Sequence, residues 1–99
     1  MAEIRVTSAE LRRKADELKN LNNQFKSKVG DLKSYEQSLT SMWEGDAKTA
    51  FHNAFNKDQI QWNNFYNLIE QYIITLRNIA TEYDNKESLN ANIASSRSY

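Results

Sequence analysis

The sequence has no cysteine, no proline and only two glycines in ninety-nine residues. Without cysteine there is no disulfide framework, no thiolate metal cage and no thiol nucleophile. A cysteine-free chain is equally at home in reducing and oxidising compartments. Proline is the strongest helix breaker, so its absence, with so little glycine, licenses almost continuous helix. Sandwiches and barrels, which turn every 8–12 residues or so, are excluded on the same ground. Charge of one sign is also missing. Thirteen basic residues balance thirteen acidic ones, which removes the electrostatic footprint of a nucleic-acid binder. No apolar run approaches the roughly 20 residues that span a membrane. The opening Met1-Ala2-Glu3-Ile4-Arg5 lacks the apolar core of a secretory leader.

What is present is helical periodicity. Thr7-Ser8-Ala9-Glu10 reads as a capping box, in which the Thr hydroxyl takes a free amide and the Glu reaches back. The pattern predicts a helix over 8–42, a turn over 43–46, a second helix over 47–87 and a flexible tail over 88–99. Gly45 ends the first helix in the left-handed conformation, and Asp46 is the expected N-cap of the second. The tail is rich in Ser, Asn and Ala.

Both segments carry a seven-residue repeat. In the first, Leu11, Leu18, Phe25, Leu32 and Leu39 share one position, followed three residues on by Lys14, Leu21, Lys28, Tyr35 and Met42. In the second, Phe55, Trp62, Ile69, Leu76 and Tyr83 share a position, with Phe51, Asp58, Phe65, Tyr72 and Ile79 on the other seam line. Four to five heptads of this kind predict paired, left-handed supercoiling helices. Joined by so short a turn, they must run antiparallel as a helical hairpin. Tyr66, Ile73 and Ala80 add a third apolar line to the second helix, and Leu68 a further contact. This is wider than one partner helix can cover. The expectation is an all-α fold, two long antiparallel helices whose surplus apolar face closes with a second hairpin into a four-helix bundle. Leu18, Leu21, Phe25, Leu32, Leu39, Phe55, Trp62, Phe65, Ile69, Tyr72 and Leu76 are the expected bundle and dimer interface.

Chemistry-bearing constellations are scarce. One histidine, His52, stands just after the turn and is read as a partly exposed first-turn residue. The serines sit at caps or in the tail, outside the strand-turn-helix setting of a nucleophile elbow. Two distant glycines build no phosphate loop. No catalytic residue, cofactor or metal is expected. Arg12-Arg13-Lys14 lies among Glu10, Asp16 and Glu17 and reads as a mixed-charge solvated face. A membrane-surface helix would carry lysine on its polar face, where the second helix has Asn and Gln; membrane contact stays open. Asp58 falls on a seam, where a carboxylate is costly. It is expected to pair with Lys14 or Lys28, the turn geometry favouring Lys28. Gly30 leaves two readings: a surface glycine, or a point of close helix approach.

Trp43-Glu44-Gly45, at mid-chain between two heptad helices, resembles the turn of the WXG family of small bacterial proteins exported by type VII secretion systems. Tyr83-Asp84-Asn85-Lys86-Glu87 is similar to that family's Tyr-x-x-x-Asp/Glu export motif. The resemblance covers essentially the whole chain. It implies a hairpin that dimerises antiparallel, with export in the folded state from the cytoplasm, without a cleaved leader, to the exterior. It further implies recognition by the membrane ATPase of the secretion system, and a composite signal in which Trp43 and Gly45 of one chain stand beside Tyr83 and Glu87 of the other. Homodimers, heterodimers with a paired protein, and small partners of larger toxins all occur in such families. An intracellular helical adaptor or chaperone is the competing reading, and a membrane-perturbing effector the third.

Overall fold

A computed structural model describes the backbone of residues 6–96 and the side chains of residues 6–88. Two helices make the whole of it: α1, Ser8–Ser41, and α2, Asp46–Ser96. They lie against each other as a hairpin whose longest dimension is 84 Å.

Local sequence explains where each helix starts and stops. Thr7 caps α1 as expected, its Oγ1 accepting from the Glu10 amide at 3.1 Å. At the other end the Met42 and Trp43 amides tighten onto Leu39 O and Thr40 O. Gly45 then sits at φ +99°, where only glycine is unstrained. Gly45, rather than Asp46, lends the carbonyl that opens α2, accepting from the Thr49 amide at 3.4 Å. Asp46 is the first helical residue, its carboxylate in the turn where the helix dipole favours negative charge.

α2 does not fade at Glu87. Its backbone stays helical to Ser96, across most of the expected tail; residues 97–99 lie outside the described residues. The reason is the opening scarcity: no glycine or proline follows Gly45, so nothing terminates the helix.

The seam between the helices departs from expectation. α1 buries Ala15, Asn22, Glu36 and Thr40, with Leu11, Leu18, Phe25, Val29 and Leu39 half-buried. The second seam line thus lies four residues after the Leu11–Leu39 line, not three. On α2 the third line is the inner one: Ile73 and Ala80 are buried, and Tyr66 half-buried. Leu21, Tyr35 and Met42, and with them Phe65 and Tyr72, face outward. Lys14, Lys28 and Asp58 are exposed too. The expected Asp58–lysine pair within the chain is not formed, Lys14 instead meeting Glu17 at 3.1 Å.

Small and polar residues make the true seam work. Ala15 and Ala80 are fully buried, and a side chain of one carbon lets helix backbones approach closely. Asn22 donates from Nδ2 to the Tyr66 carbonyl at 3.1 Å. Glu36, buried, meets His52 Nδ1 at 2.7 Å. Polar groups of this kind specify register more than they add stability.

Gly30 is not a close approach. A Cβ placed there meets nothing within 4 Å. Gly30→Ala is therefore expected to stabilise the hairpin by about 1 kcal/mol, the helix-propensity difference. Chemical denaturation, with an unchanged slope and a higher midpoint, checks this.

Candidate functional site: the Trp-X-Gly turn and an uncovered aromatic face

The turn presents Trp43 half-buried over the start of α2, its ring 5.7 Å from Phe51. Phe51 leads to Phe55 at 6.3 Å, and Phe55 to Trp62 in an edge contact at 5.3 Å. Tilted and edge-on rings are the favoured geometry of aromatic pairs. Trp43 is thus anchored by a line of rings along α2, and Gly45 gives the chain the backbone it needs to reverse. One residue pair of the expected export signal is placed firmly at one end.

The other pair stands far away. Tyr83 and Glu87 lie on α2 near the open end of the hairpin, both exposed. At 1.5 Å per residue, the helix separating Tyr83 from the turn is roughly 55 Å long. One chain brings Trp43 to Gly45 and Tyr83 to Glu87, and keeps the two pairs apart.

The two flanks of the hairpin differ in chemistry. One is polar. Arg12 pairs with Asp84 at 2.8 Å and Arg77 with Asp16 at 3.2 Å. Lys19 bonds to the Glu70 carboxylate, which also accepts from Tyr66 Oη at 2.9 Å. The Lys26 ammonium stands 5.2 Å from the centroid of the Tyr66 ring. Lys19 holds the Glu70 carboxyl below its usual range, with Tyr66 adding to it; Glu70 in turn pushes Lys19 and Tyr66 upward. The Ser8 hydroxyl, then Arg12, lowers Asp84.

These shifts give a pH prediction. The depressed carboxylates contribute stability that is present above about pH 4 and lost as pH falls through their lowered values. The raised Lys19 and Tyr66 contribute below about pH 10 and lose it as pH rises through their elevated values. Thermal melts are expected to be flat between about pH 5 and pH 9.5 and to fall on both sides. Glu70→Gln is expected to flatten both the acid limb and the alkaline one.

The opposite flank is apolar. Of the expected interface residues, Leu18, Phe25, Leu39, Phe55, Trp62, Ile69 and Leu76 are half-buried in the intrachain seam. Leu21, Leu32, Phe65 and Tyr72 are exposed on this flank with Tyr35, Met42, Phe51 and Leu68. Phe25 and Phe65 stack edge-on at 5.2 Å, joining seam to flank. A shallow groove lies there between Phe25, Trp62, Phe65 and Leu68. A folded chain of this mass ordinarily exposes about 5,800 Å². This one exposes 8048 Å², and part of that excess is aromatic. The seam residues missed from sequence are Ala15, Asn22, Val29 and Glu36. Their one signal was the Tyr66–Ile73–Ala80 line, which needed a partner line on α1.

Among the described residues no group of three or more His, Asp or Glu side chains is placed to hold a metal ion. No described helix is long and apolar enough to cross a membrane.

An elongated two-helix hairpin, turned at Trp-X-Gly and apolar along one flank, defines a class of small helical-hairpin proteins. The chain belongs to the family described as proteins of 100 residues with WXG (WXG100), whose profile it matches over residues 3–88. Its fold is similar to that of the secreted protein EsxB from Bacillus anthracis strain Sterne. A selenomethionine-labelled crystal structure of EsxB superposes with a TM-score of 0.77 at 28% identity, covering 88% of this chain and 99% of that one. The wild-type form in space group P21 gives 0.76 at 28% identity, covering 86% and 91%. Among curated proteins none matches this chain.

Proposed function

We propose that this protein is a small, non-enzymatic export substrate of a bacterial type VII secretion system. It leaves the cytoplasm folded and acts outside, as an effector or a co-secreted partner, through helix–helix contacts. Membership of the WXG100 family and similarity to a protein described as secreted support this reading. The observation that carries it is the separation of the two motif pairs. Trp43 and Gly45 at one end, and Tyr83 and Glu87 at the other, become one signal only if a second chain lies antiparallel on the first.

The second chain is a further copy of this one, closing a four-helix bundle over the apolar flank. Balanced charge favours self-association over pairing with a partner of opposite sign. The bundle end, with Trp43 beside the partner's Tyr83, is the surface offered to the secretion-system membrane ATPase. A paired WXG-type protein or a larger toxin with a related hairpin would use the same flank.

The test is secretion. Trp43→Ala and Tyr83→Ala are each expected to cut export at least about tenfold while helicity and dimerisation persist, because Tyr83 is exposed and Trp43 only half-buried. Comparison of culture supernatant and cell pellet, with circular dichroism of the purified variants, reads it. Unchanged export of both variants removes the signal role. A wild-type protein found only in the cytosol of cells with working machinery identifies an intracellular adaptor instead.

A further inference from the structure

The geometry points to one register for the pairing of two copies, with the two-fold axis beside Phe65, and to Lys14, Lys28 and Asp58 as the residues that select it. This rests on the bundle reading above and specifies its partner contacts. A two-fold axis crossing the helices within the interface lays α1 antiparallel on the partner's α1, and α2 on the partner's α2. The apolar flank then pairs with itself, as isologous interfaces must.

Heptad spacing leaves three well-overlapped registers, and charge separates them. On α1 the flank line contains Lys14, Leu21, Lys28, Tyr35 and Met42. If the axis falls midway between Leu21 and Lys28, Lys14 meets the partner's Tyr35 and Lys28 meets the partner's Leu21. No lysine faces a lysine. A shift one way sets Lys14 against the partner's Lys28; a shift the other way sets Lys28 against the partner's Lys28. Like charges opposed in an interface suppress both.

α2 reaches the same answer independently. Phe25 stacks on Phe65, so the axis midway between Leu21 and Lys28 passes beside Phe65. Phe65 then meets the partner's Phe65, and Asp58 meets the partner's Tyr72. A carboxylate on an apolar face needs a donor, and the tyrosine hydroxyl supplies one. In the two shifted registers Asp58 would face the partner's Ile79 or the partner's Phe65, neither of which can donate. Neither Asp58 nor Lys28 has an ion-pair partner within its own chain among the described residues. Both are exposed there. The same register sets Met42 opposite the partner's Thr7, at the open end where Arg12 pairs with Asp84. The turn of one copy thus arrives beside the partner's Tyr83.

The chain lacks cysteine, so single cysteines report register cleanly under mild oxidation. A disulfide needs Cβ atoms within about 4.5 Å. Phe65→Cys is expected to cross-link to itself, and Leu21→Cys chains to cross-link to Lys28→Cys chains when mixed. Leu21 and Lys28 are exposed in the hairpin, so the second pair reads register even if Phe65→Cys disturbs the fold. Leu21→Cys cross-linking to itself, or to Tyr35→Cys, reports a shifted register and overturns the proposal. Tyr72→Phe is expected to weaken dimerisation about tenfold; an unchanged dissociation constant overturns the Asp58 contact. A wild-type chain that sediments as a monomer overturns the bundle reading itself, an outcome distinct from a dimer with a different register.

Discussion

A chain carrying Leu21→Lys together with Tyr72→Asp is expected to sediment as a monomer at concentrations where the wild type is a dimer. Both residues are half or more exposed in the hairpin, at 59% and 52%, so neither change removes an intrachain core contact. Each puts a charge on the apolar flank, where pairing would desolvate it; in the register proposed above the lysine faces the partner's Lys28 and the aspartate the partner's Asp58. Truncating a central aromatic contact in an interface costs about 2–4 kcal/mol. Burying an unpaired charge costs more than losing the contact. With each change occurring twice per dimer, the loss is about 8–16 kcal/mol, as large as the roughly 8–12 kcal/mol that holds a micromolar-to-nanomolar dimer. The monomer is also expected to unfold with a broader transition, because Ala15, Ile73 and Ala80 are the only buried apolar residues among those described. Sedimentation equilibrium and circular dichroism on dilution measure the two effects together.

The second large effect separates two neighbouring isoleucines. Ile73 is 2% exposed and is, among the described residues, the one large side chain fully enclosed between α1 and α2, whereas Ile74 is 49% exposed on the back of the helix. Ile73→Ala is expected to cost about 2–4 kcal/mol, the transfer free energy of the lost carbons together with the cavity they leave. For a domain this small, that lowers the melting temperature by roughly 10–25 °C. Ile74→Ala is expected to stay within about 0.5 kcal/mol of the wild type. Thermal melts of the two variants check both. Equal losses would mean that the face of α2 turned toward α1 is not the one described.

The sequence carried more of the fold than of the seam. The helix start at Thr7 was legible because a hydroxyl followed three residues later by a carboxylate is a local signal, and the structure uses its first half. The reversal at Gly45 was legible because it is the one glycine at a heptad break, and its φ of +99° shows why a glycine stands there. The end of α2 was not legible. Ser and Asn lower helix propensity only slightly and Ala favours helix, so composition alone read a weak decline as a tail.

Likewise the Trp-X-Gly and Tyr-x-x-x-Glu motifs stand out in the sequence, and their separation does not. Trp43 and Tyr83 were read as one signal from a resemblance. That they occupy opposite ends of a single hairpin follows from helix length, so the proposed composite signal would need two chains. The Asp58–Lys28 pair failed within the chain for a related reason: both residues lie on the flank line, at about the same height, and that flank faces away from the seam.

Absence of proline, scarcity of glycine and a heptad repeat broken at Gly45 determined, by themselves, a hairpin of two long helices with a surplus apolar face. Only the tertiary structure decided which face closes on itself. The residues three and four positions after each leucine of α1 lie on either side of it, so periodicity treats them alike. The line with Leu21, Tyr35 and Met42 is the more apolar, and sequence reasoning assigns it inward. The folded chain chose Ala15, Asn22, Val29 and Glu36, with Ala15 and Ala80, fully buried, letting the helices approach. Across that seam Asn22 and Glu36 find the Tyr66 carbonyl and His52. The greasier line was left outside, exposed along the flank where the proposed second copy would lie.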